Sequence, residues 1–406
     1  MRLRASSLDA LREREFRLLF TGQIVSLLGD QMVTIALAFA VLDLTGSVSD
    51  LGWVIAAKTA PLVAFLLVGG VFADRLPRRA VMLTADLVRL GSQGAVAVLL
   101  LTHSARIWQI AVLQAVAGSA SAFFNPASTG LTPLTVSAER LQQANTLRGI
   151  SMASAGIVGP AIGGALVAGV GPGWAIAVDA ASFGVSAFFL SLLRLPVHVP
   201  LPPQSFLRDL REGWREFSSR TWVWVIVVAA SIGNMMSGWF IVLGAAIAKS
   251  DLGGAGAWAL ILSSLAAGSL IGGLVALHVR PRRPLYFGSV LLFPIAGPMV
   301  LLALGAPALA IAGAALVAGL GNMVFNSLWE TALQQHVPPA ALSRVAAYDW
   351  FGSLACQPLG FVLVGPVSNA IGRPDALWIA AGGVTLMTLL AVGTRSVREL
   401  EAVYRS

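Results

Sequence analysis

Four charged residues lie inside the first three apolar stretches of this sequence. Asp30 lies near the middle of an apolar run at about 18–42. A charge at bilayer depth costs roughly 2.5–3.5 kcal/mol on insertion scales, so it is usually kept because it lines a pathway or carries a proton. Lys58, Asp86 and Arg89 lie in the next two apolar runs. These four residues are therefore the candidates for proton coupling, with Asp30 first.

The spacing of these charged residues allows two pairings. Asp86 and Arg89 are three residues apart and can pair on one helical face, either as a structural pair or as part of a coupling site. At about 1.5 Å of rise per residue, Lys58 is expected roughly 9 Å outward of Asp30, which a lysine side chain nearly spans. Lys58 could instead pair with Asp43 or extend its amine to the outer interface.

The composition is that of a polytopic membrane protein. The chain is 57% hydrophobic and 11% charged, whereas soluble domains carry about 25% charged residues. We therefore expect an all-α membrane protein with twelve transmembrane helices. The twelve predicted segments are 17–43, 51–73, 80–102, 107–130, 145–170, 174–194, 222–248, 254–278, 285–304, 307–330, 343–370 and 374–394.

The basic residues are sorted between the two sides of the predicted membrane. Twenty-two of the 27 Lys and Arg fall in the terminal and even-numbered connections. Cytoplasmic loops carry the excess of positive charge, so both termini are expected in the cytoplasm of a bacterial inner membrane. The sequence pI of about 10.8 then reports orientation, and a nucleic-acid partner is not expected. The first apolar run is too long for a cleaved signal peptide.

Motifs of soluble enzymes and of metal sites are not evident in the sequence. Cys356 is the single cysteine, which excludes a disulfide within the chain, and the four His residues lack ligand spacing. The stretch from Gly52 to Thr59 is one glycine short of a phosphate-binding loop and lies in an apolar segment. We therefore expect no enzymatic activity, no cofactor, no metal and no ATP-driven pump.

The chain contains an internal repeat. At a shift of 201 residues, Phe124-Asn125 aligns with Phe325-Asn326. The repeat predicts two six-helix halves, at 1–195 and 221–406, that flank a cytoplasmic linker at 196–220. Apolar residues on one face of this linker predict an amphipathic helix at the inner membrane surface.

The turn between the second and third segments carries a recognisable motif. Gly70, Asp74, Arg75, Arg78 and Arg79 fit the pattern G-x-x-x-D-R-x-G-R-R except at the glycine before the last two arginines. This motif resembles the signature of the major facilitator superfamily. The resemblance implies a fold of two parallel six-helix repeats and a conformational latch at this turn. Plain positive-inside anchoring would explain the arginines alone.

Further motifs resemble one branch of that superfamily. Gly159, Pro160, Gly163 and Gly164 resemble the G-P-x-x-G-G motif of drug/proton antiporters, although these residues also suit close helix packing. With three shorter stretches, including 179–183, they resemble the twelve-helix macrolide and siderophore exporters. Many drug/proton antiporters carry an Arg on the fourth helix, and this sequence has none there.

Polar residues follow helical spacing on the first, fourth, seventh and tenth segments. In the major facilitator fold these segments line the central cavity, whereas the alternative is that small and polar residues pack helices together. Neighbouring Met and aromatic side chains suit a permissive pocket. The candidate substrate contacts are Gln23, Asp30, Thr34, Gln114, Phe124, Asn125, Asn234, Met235, Trp239, Asn322 and Asn326.

The sequence thus predicts a secondary active transporter that exports an amphipathic organic compound, such as a drug, macrolide or siderophore-like molecule. Alternating access coupled to proton influx is the expected mechanism, and a functional monomer in the lipid bilayer is the expected state. Two alternatives stay open. One is a facilitator or importer of a specific metabolite, and the other is a membrane receptor without transport activity.

Overall fold

In a bilayer each backbone N–H and C=O must find its partner within the chain, so long apolar segments fold as helices. The computed structural model describes residues 5–195 and 206–402, and it describes the backbone alone at 5–8, 66–75, 206–210, 212, 339, 340 and 343. The described residues form α-helices and short 3-10 turns without a strand. Twelve helical stretches among them are long and apolar enough to cross a membrane, which confirms the predicted number.

Six long helices account for the first six predicted segments. They are α1 (Arg14–Thr45), α2 (Val48–Arg75), α3 (Arg78–Leu101), α4 (Ile107–Leu131), α5 (Leu141–Val170) and α6 (Pro172–Ser191). The turn after α1 needs a glycine, because Gly46 has a φ of +66° and donates its N–H to the Leu42 carbonyl.

The remaining helices account for the linker and the last six segments. They are α7 (Phe206–Ser218), α8 (Thr221–Asp251), α9 (Ala255–Ala276), α10 (Pro284–Val290), α11 (Ala296–Ala303), α12 (Ala308–His336), α13 (Pro339–Leu354), α14 (Gln357–Ile371), α15 (Arg373–Gly393) and α16 (Arg395–Arg398). Two predicted segments are each divided into two helices. Pro294 lies in the break before α11 and Pro358 at the start of α14, and a proline lacks the N–H that continues a helix.

The helix α7 lies in the predicted linker, of which residues 196–205 lie outside the described part. Phe217 is buried and packs 5.8 Å from the ring of Tyr348 on α13. The Trp214 ring stacks on Phe217 and is 56% exposed. The apolar face of α7 is therefore partly covered by α13.

The chain divides into two compact units. The first comprises Met1–Gly46 with Ala57–Pro202, and the second comprises Ser47–Ala56 with Pro203–Ser406. The first turns of α2 thus belong to the second unit, where Asn369 of α14 donates a hydrogen bond to Ser49 Oγ at 3.3 Å. The sequence placed this stretch with the N-terminal half.

Within the first unit, glycines bring α5 close to α1. A methyl group built on Gly163 would lie 2.8 Å from the Met32 carbonyl oxygen, which is backbone and cannot turn aside. A methyl group built on Gly159 would lie closer still to the Cβ of Gln31. The G-P-x-x-G-G motif therefore forms a close contact between two helices.

This contact predicts that Gly163→Ala destabilises the protein by about 1–3 kcal/mol, because overpacking forces the backbone apart. Thermal unfolding of purified protein in detergent measures the change. Gly169→Ala on the same helix is the matched control, since nothing lies within 4 Å of a methyl group there. Equal melting temperatures for the two variants would show that α5 and α1 tolerate the extra methyl group.

Candidate functional site

A small cavity of about 150 Å³ opens in the first unit, beside the polar face of α1. Gln23 and Asp30 line it from α1, and Asn125 lines it from α4. Two basic side chains also line it, Arg89 from α3 and Arg148 from α5. Because the spacing on α1 puts Gln23, Ser26 and Asp30 on one side, a single helix presents all three to this space.

Arg89 is the most enclosed cation of this cavity, with 4% of its surface exposed. Its guanidinium forms an ion pair with Asp86 one turn earlier on α3, and its Nη1 lies 3.6 Å from Asp30 Oδ2 on α1. The rings of Phe124 and Phe183 lie 4.1 and 4.3 Å from the guanidinium carbon. Two carboxylates and two aromatic faces therefore stabilise this one buried charge.

Asp30 lies between two cations. Its Oδ2 faces Arg89, and its Oδ1 lies 4.0 Å from the amine of Lys58 on α2. Its side chain is 33% exposed, so it is open to the cavity while paired. Of the alternatives for Lys58, the structure shows the approach to Asp30. It also shows that the pair of Asp86 and Arg89 is joined to Asp30, and is not an isolated structural pair.

A third carboxylate belongs to this cluster. Near the outer end of its predicted segment, Asp179 is expected as an interfacial cap or as a partner for a neighbouring helix, and the structure places it fully buried in α6. A methyl group built on Gly29 of α1 would lie 2.6 Å from its Oδ1. Neither carboxylate oxygen has a hydrogen-bond partner among the described residues, and Asp179 lies within electrostatic range of Asp30. The signal available in the sequence is that Asp179 is an acid inside an apolar segment, and such an acid needs specific partners when it is buried.

The five residues Asp30, Lys58, Asp86, Arg89 and Asp179 form the charge cluster of the first unit. Asp179 is fully buried and neither of its oxygens has a hydrogen-bond partner among the described residues, so its neutral form is favoured. Asp30 and Asp86 then balance Lys58 and Arg89, and protonation of Asp30 would leave one positive charge in excess. Low-dielectric surroundings make such an imbalance costly.

A hydrogen-bond network lies on the other side of the cavity. Gln23 donates to Ser128 Oγ at 2.5 Å, and Arg148 donates to the same oxygen at 3.1 Å. Arg148 also donates to Thr132 Oγ1 at 2.7 Å. The helix α4 has no arginine, but Arg89 of α3 and Arg148 of α5 both line this cavity. The spacing of residues within α4 could not reveal arginines that reach the cavity from other helices.

The other predicted contacts of the first unit differ in their placement. Phe124 and Asn125 line the cavity. Thr34 is exposed and donates to the Asp30 carbonyl oxygen at 3.4 Å. Gln114 is fully buried and donates to Gln93 Oε1 of α3 at 3.0 Å. Gln114 therefore faces α3, in contrast to its predicted position on a cavity wall.

The signature turn holds helix ends together within the first unit. Arg78 donates to the Gly130 carbonyl oxygen at 2.6 Å, near the end of α4. Arg79 donates to the Leu190 carbonyl oxygen at 2.9 Å, near the end of α6. Basic side chains satisfy the free carbonyl groups at helix C-termini and complement the helix dipole. The side chains of the other predicted latch residues, Gly70, Asp74 and Arg75, lie outside the described part.

A larger cavity of about 630 Å³ lies in the second unit. Asn234 of α8 and Asn322 and Asn326 of α12 line it, as their stripes suggested. Trp239 is only 3% exposed and lies away from this cavity. Met235 also lies away from it, and its carbonyl group packs against Gly360. Both residues lie on faces of α8 that pack against other helices, whereas a different face of α8 borders the cavity.

Two carboxylates line the same cavity. Asp349 Oδ2 accepts a hydrogen bond from Trp329 Nε1 at 2.9 Å, and Ser353 lies 3.4 Å from its Oδ1. Glu330 is exposed and lies on the wall formed by α12. Both residues lie near the inner ends of their predicted segments, where solvated helix ends or a cytoplasmic gate are expected. The structure shows that Asp349 is held by an aromatic donor.

The internal repeat places equivalent residues at the two cavities. Phe124 and Asn125 line the cavity of the first unit, and Phe325 and Asn326 line that of the second. The internal repeat therefore places the same pair of residue types on a cavity wall in each unit, on α4 and on α12. The charged residues around the two pairs differ.

Comparison with known proteins supports this description. The family model of the Major Facilitator Superfamily matches residues 19–356. The chain is 28% identical to the multidrug efflux pump Tap of Mycolicibacterium fortuitum, over 92% of this chain and 94% of that protein. It is 27% identical to the enterobactin exporter EntS of Escherichia coli O1:K1 / APEC, over 92% of this chain and 91% of that protein. The predicted resemblance is confirmed.

Solved structures show the same fold at lower sequence identity. A bacterial homologue of the iron transporter ferroportin, crystallised in its inward-facing state, superposes with a TM-score of 0.75 at 16% identity. The match covers 93% of this chain and 98% of that one. This likeness confirms the predicted fold class.

The charge cluster predicts that Arg89→Gln destabilises the protein by about 3–5 kcal/mol, because it leaves Asp86 buried without its cation. The double variant Asp86→Asn with Arg89→Gln should recover much of this loss, since both charges are then removed. Thermal unfolding in detergent compares the two. If the double variant melts no higher than the single one, the ion pair is not what holds Arg89 in place.

Proposed function

Because the chain belongs to the Major Facilitator Superfamily and is a multi-pass membrane transporter, we propose that it exports an amphipathic organic compound by alternating access. Proton influx is the proposed driving force. The names of the relatives support export, since Tap is a multidrug efflux pump and EntS an enterobactin exporter. The proposed location is a bacterial cytoplasmic membrane, with a monomer as the functional unit.

One observation carries the proposal of proton coupling. Asp30 is a partly exposed carboxylate that lines a cavity and lies between the cations of Lys58 and Arg89. A group that accepts and releases protons needs access to water and partners whose interaction changes with its charge. Asp30 meets both requirements among the described residues of the first unit.

Protonation of Asp30 changes the balance of the charge cluster. Neutral Asp30 loses its electrostatic attraction for Lys58 and Arg89, while Asp86 continues to pair with Arg89. Asp179 is fully buried without a hydrogen-bond partner among the described residues and is counted as neutral, so protonation of Asp30 leaves one positive charge in excess. We propose that this positive state favours one conformation and that the balanced state with ionised Asp30 favours the other.

The signature turn is the proposed latch. Arg78 and Arg79 tie the ends of α4 and α6 to the start of α3, so a movement of this turn would reach both helices. Gly70, Asp74 and Arg75 complete the motif by resemblance. Gly159, Pro160, Gly163 and Gly164 of the antiporter motif would keep α5 against α1, which carries Asp30.

The coupling proposal predicts that Asp30→Asn abolishes export driven by a pH difference. Because Asn cannot be ionised, the variant holds the charge cluster in one state but leaves the substrate site in place. Substrate binding and counterflow exchange should therefore persist, and Asp30→Glu should retain partial export. Proteoliposomes with an imposed pH difference measure the three activities.

The matched control for this experiment is Asp375→Asn, an exposed acid in the first turn of α15. It should export at the rate of the unmodified protein. If Asp30→Asn still accumulates substrate against its gradient under the same pH difference, Asp30 does not couple protons, and Asp86 or Asp349 becomes the next candidate.

The sorting of basic residues predicts that the turn at Pro77 faces the cytoplasm together with both termini. In a Cys356→Ala background, Pro77→Cys should react with a membrane-impermeant thiol reagent only after the cells are opened. Thr102→Cys, in the exposed turn after α3, is the matched control that should react in intact cells. Labelling of Pro77→Cys from outside would reverse the proposed orientation.

A further inference from the structure

The cavity of the second unit has the size of a site for a drug-like molecule. Its volume of about 630 Å³ lies within the range of roughly 300–1,000 Å³ that such sites occupy. Four helices, α8, α12, α13 and α15, contribute most of its walls. The cavity of the first unit, at about 150 Å³, is too small for a ligand of that class.

The charge of this larger cavity has one sign. Glu330 and Asp349 line it, and no Lys, Arg or His is among its described lining residues. Arg344, on the same helix as Asp349, has its Cβ against Gly213 of α7 and its charge acts on Glu216 of α7. His336 on α12 faces the ring of Trp222. These two residues are therefore engaged with other elements, and the described lining of the cavity presents negative charge.

Aromatic faces accompany this negative charge. Phe325, Trp329 and Trp350 line the cavity, and the Trp350 side chain is 61% exposed. Trp329 donates its Nε1–H to Asp349, which fixes that carboxylate beside an indole ring. Organic cations are attracted to aromatic faces, whereas metal ions need several N, O or S ligands. The described residues contain no group of three or more acids, His or Cys that could hold a metal.

Polar groups also reach this space, and one of them has no internal partner among the described residues. Ser289 is 1% exposed, lines the cavity, and its hydroxyl has no hydrogen-bond partner among the described residues. A buried hydroxyl left without a partner costs free energy, so it marks a place where a ligand or water group is expected. The amides of Asn234 and Asn322 lie on the same walls.

We propose that this cavity is the substrate pocket of the transporter and that it selects organic cations. The positive group of the substrate binds at Asp349 and Glu330, and its apolar body lies against Trp350 and Phe325. The inference rests on the proposed export function and narrows its substrates to amphipathic compounds with a basic or permanently charged nitrogen or phosphorus. Anionic compounds of similar size are rejected by the two carboxylates.

The test is a binding measurement on the full-length protein purified in detergent, which does not require transport. Tetraphenylphosphonium and tetraphenylborate are the probes, because they have nearly the same size and shape and opposite charge. The cation is expected to bind and the anion to bind at least about tenfold more weakly. Equal affinity for the two ions would overturn the proposal.

Three substitutions locate the cation. Asp349→Asn keeps an acceptor for Trp329 but removes the charge, and it should weaken binding of the cation about tenfold or more. Trp350→Leu should weaken it roughly two- to thirtyfold. Asp375→Asn, at an exposed acid outside the pocket, should leave it unchanged. Unchanged affinity in Asp349→Asn would overturn the assignment of the pocket.

Transport and binding assays on Asp30→Asn and Asp349→Asn separate the two proposals. Asp30→Asn should bind the cation normally and fail in gradient-driven export, which supports the cation pocket. Cation binding that depends on Asp349, in a protein that exports nothing, would refute the export function and uphold the pocket. Export of neutral or anionic compounds without such binding would overturn the pocket and uphold export.

Discussion

A charge within a bilayer must be paired, and in the first unit this requirement is met around Arg89. Its guanidinium contacts Asp86 on its own helix, Asp30 on α1 and the rings of Phe124 and Phe183 on α4 and α6. Three helices, α1, α4 and α6, must therefore approach one side chain of α3. The cost of an unpaired charge in this environment makes that arrangement strongly preferred over looser packing.

The central position of α1 follows from the same requirement. Its carboxylate reaches Arg89 and Lys58 only if its neighbours lie close, and glycines on both sides of the contact permit this. Gly163 of α5 lies against the α1 backbone, and Gly29 of α1 lies against Asp179 of α6. The motif that resembles an antiporter signature therefore serves the charge cluster indirectly, because it positions the helix that carries Asp30.

The two units use the same repeat for different chemistry. A wall position shared by Phe124-Asn125 and Phe325-Asn326 borders a cavity in each unit. In the first unit that cavity contains Arg89 paired with carboxylates and Arg148 bonded to hydroxyl groups. In the second unit the described lining contains carboxylates and aromatic rings without a cation. A small, charge-balanced space suits a proton, whereas a larger acidic and aromatic space suits an organic cation. The proposals for coupling and for substrate selection follow from this difference.

The sequence by itself determined the number of membrane helices, the internal repeat and the superfamily, because hydropathy and local motifs are properties of short stretches of chain. It also singled out Asp30, since an acid in an apolar run is costly wherever the helix lies. Only the tertiary structure decided which groups meet. It joined Asp30 to Lys58 and Arg89, brought Asp179 into the same cluster, and turned Gln114 and Trp239 away from the cavities. Helical spacing gives the face of a residue but not the neighbour that covers that face, because helix rotation and packing depend on contacts far apart in the sequence.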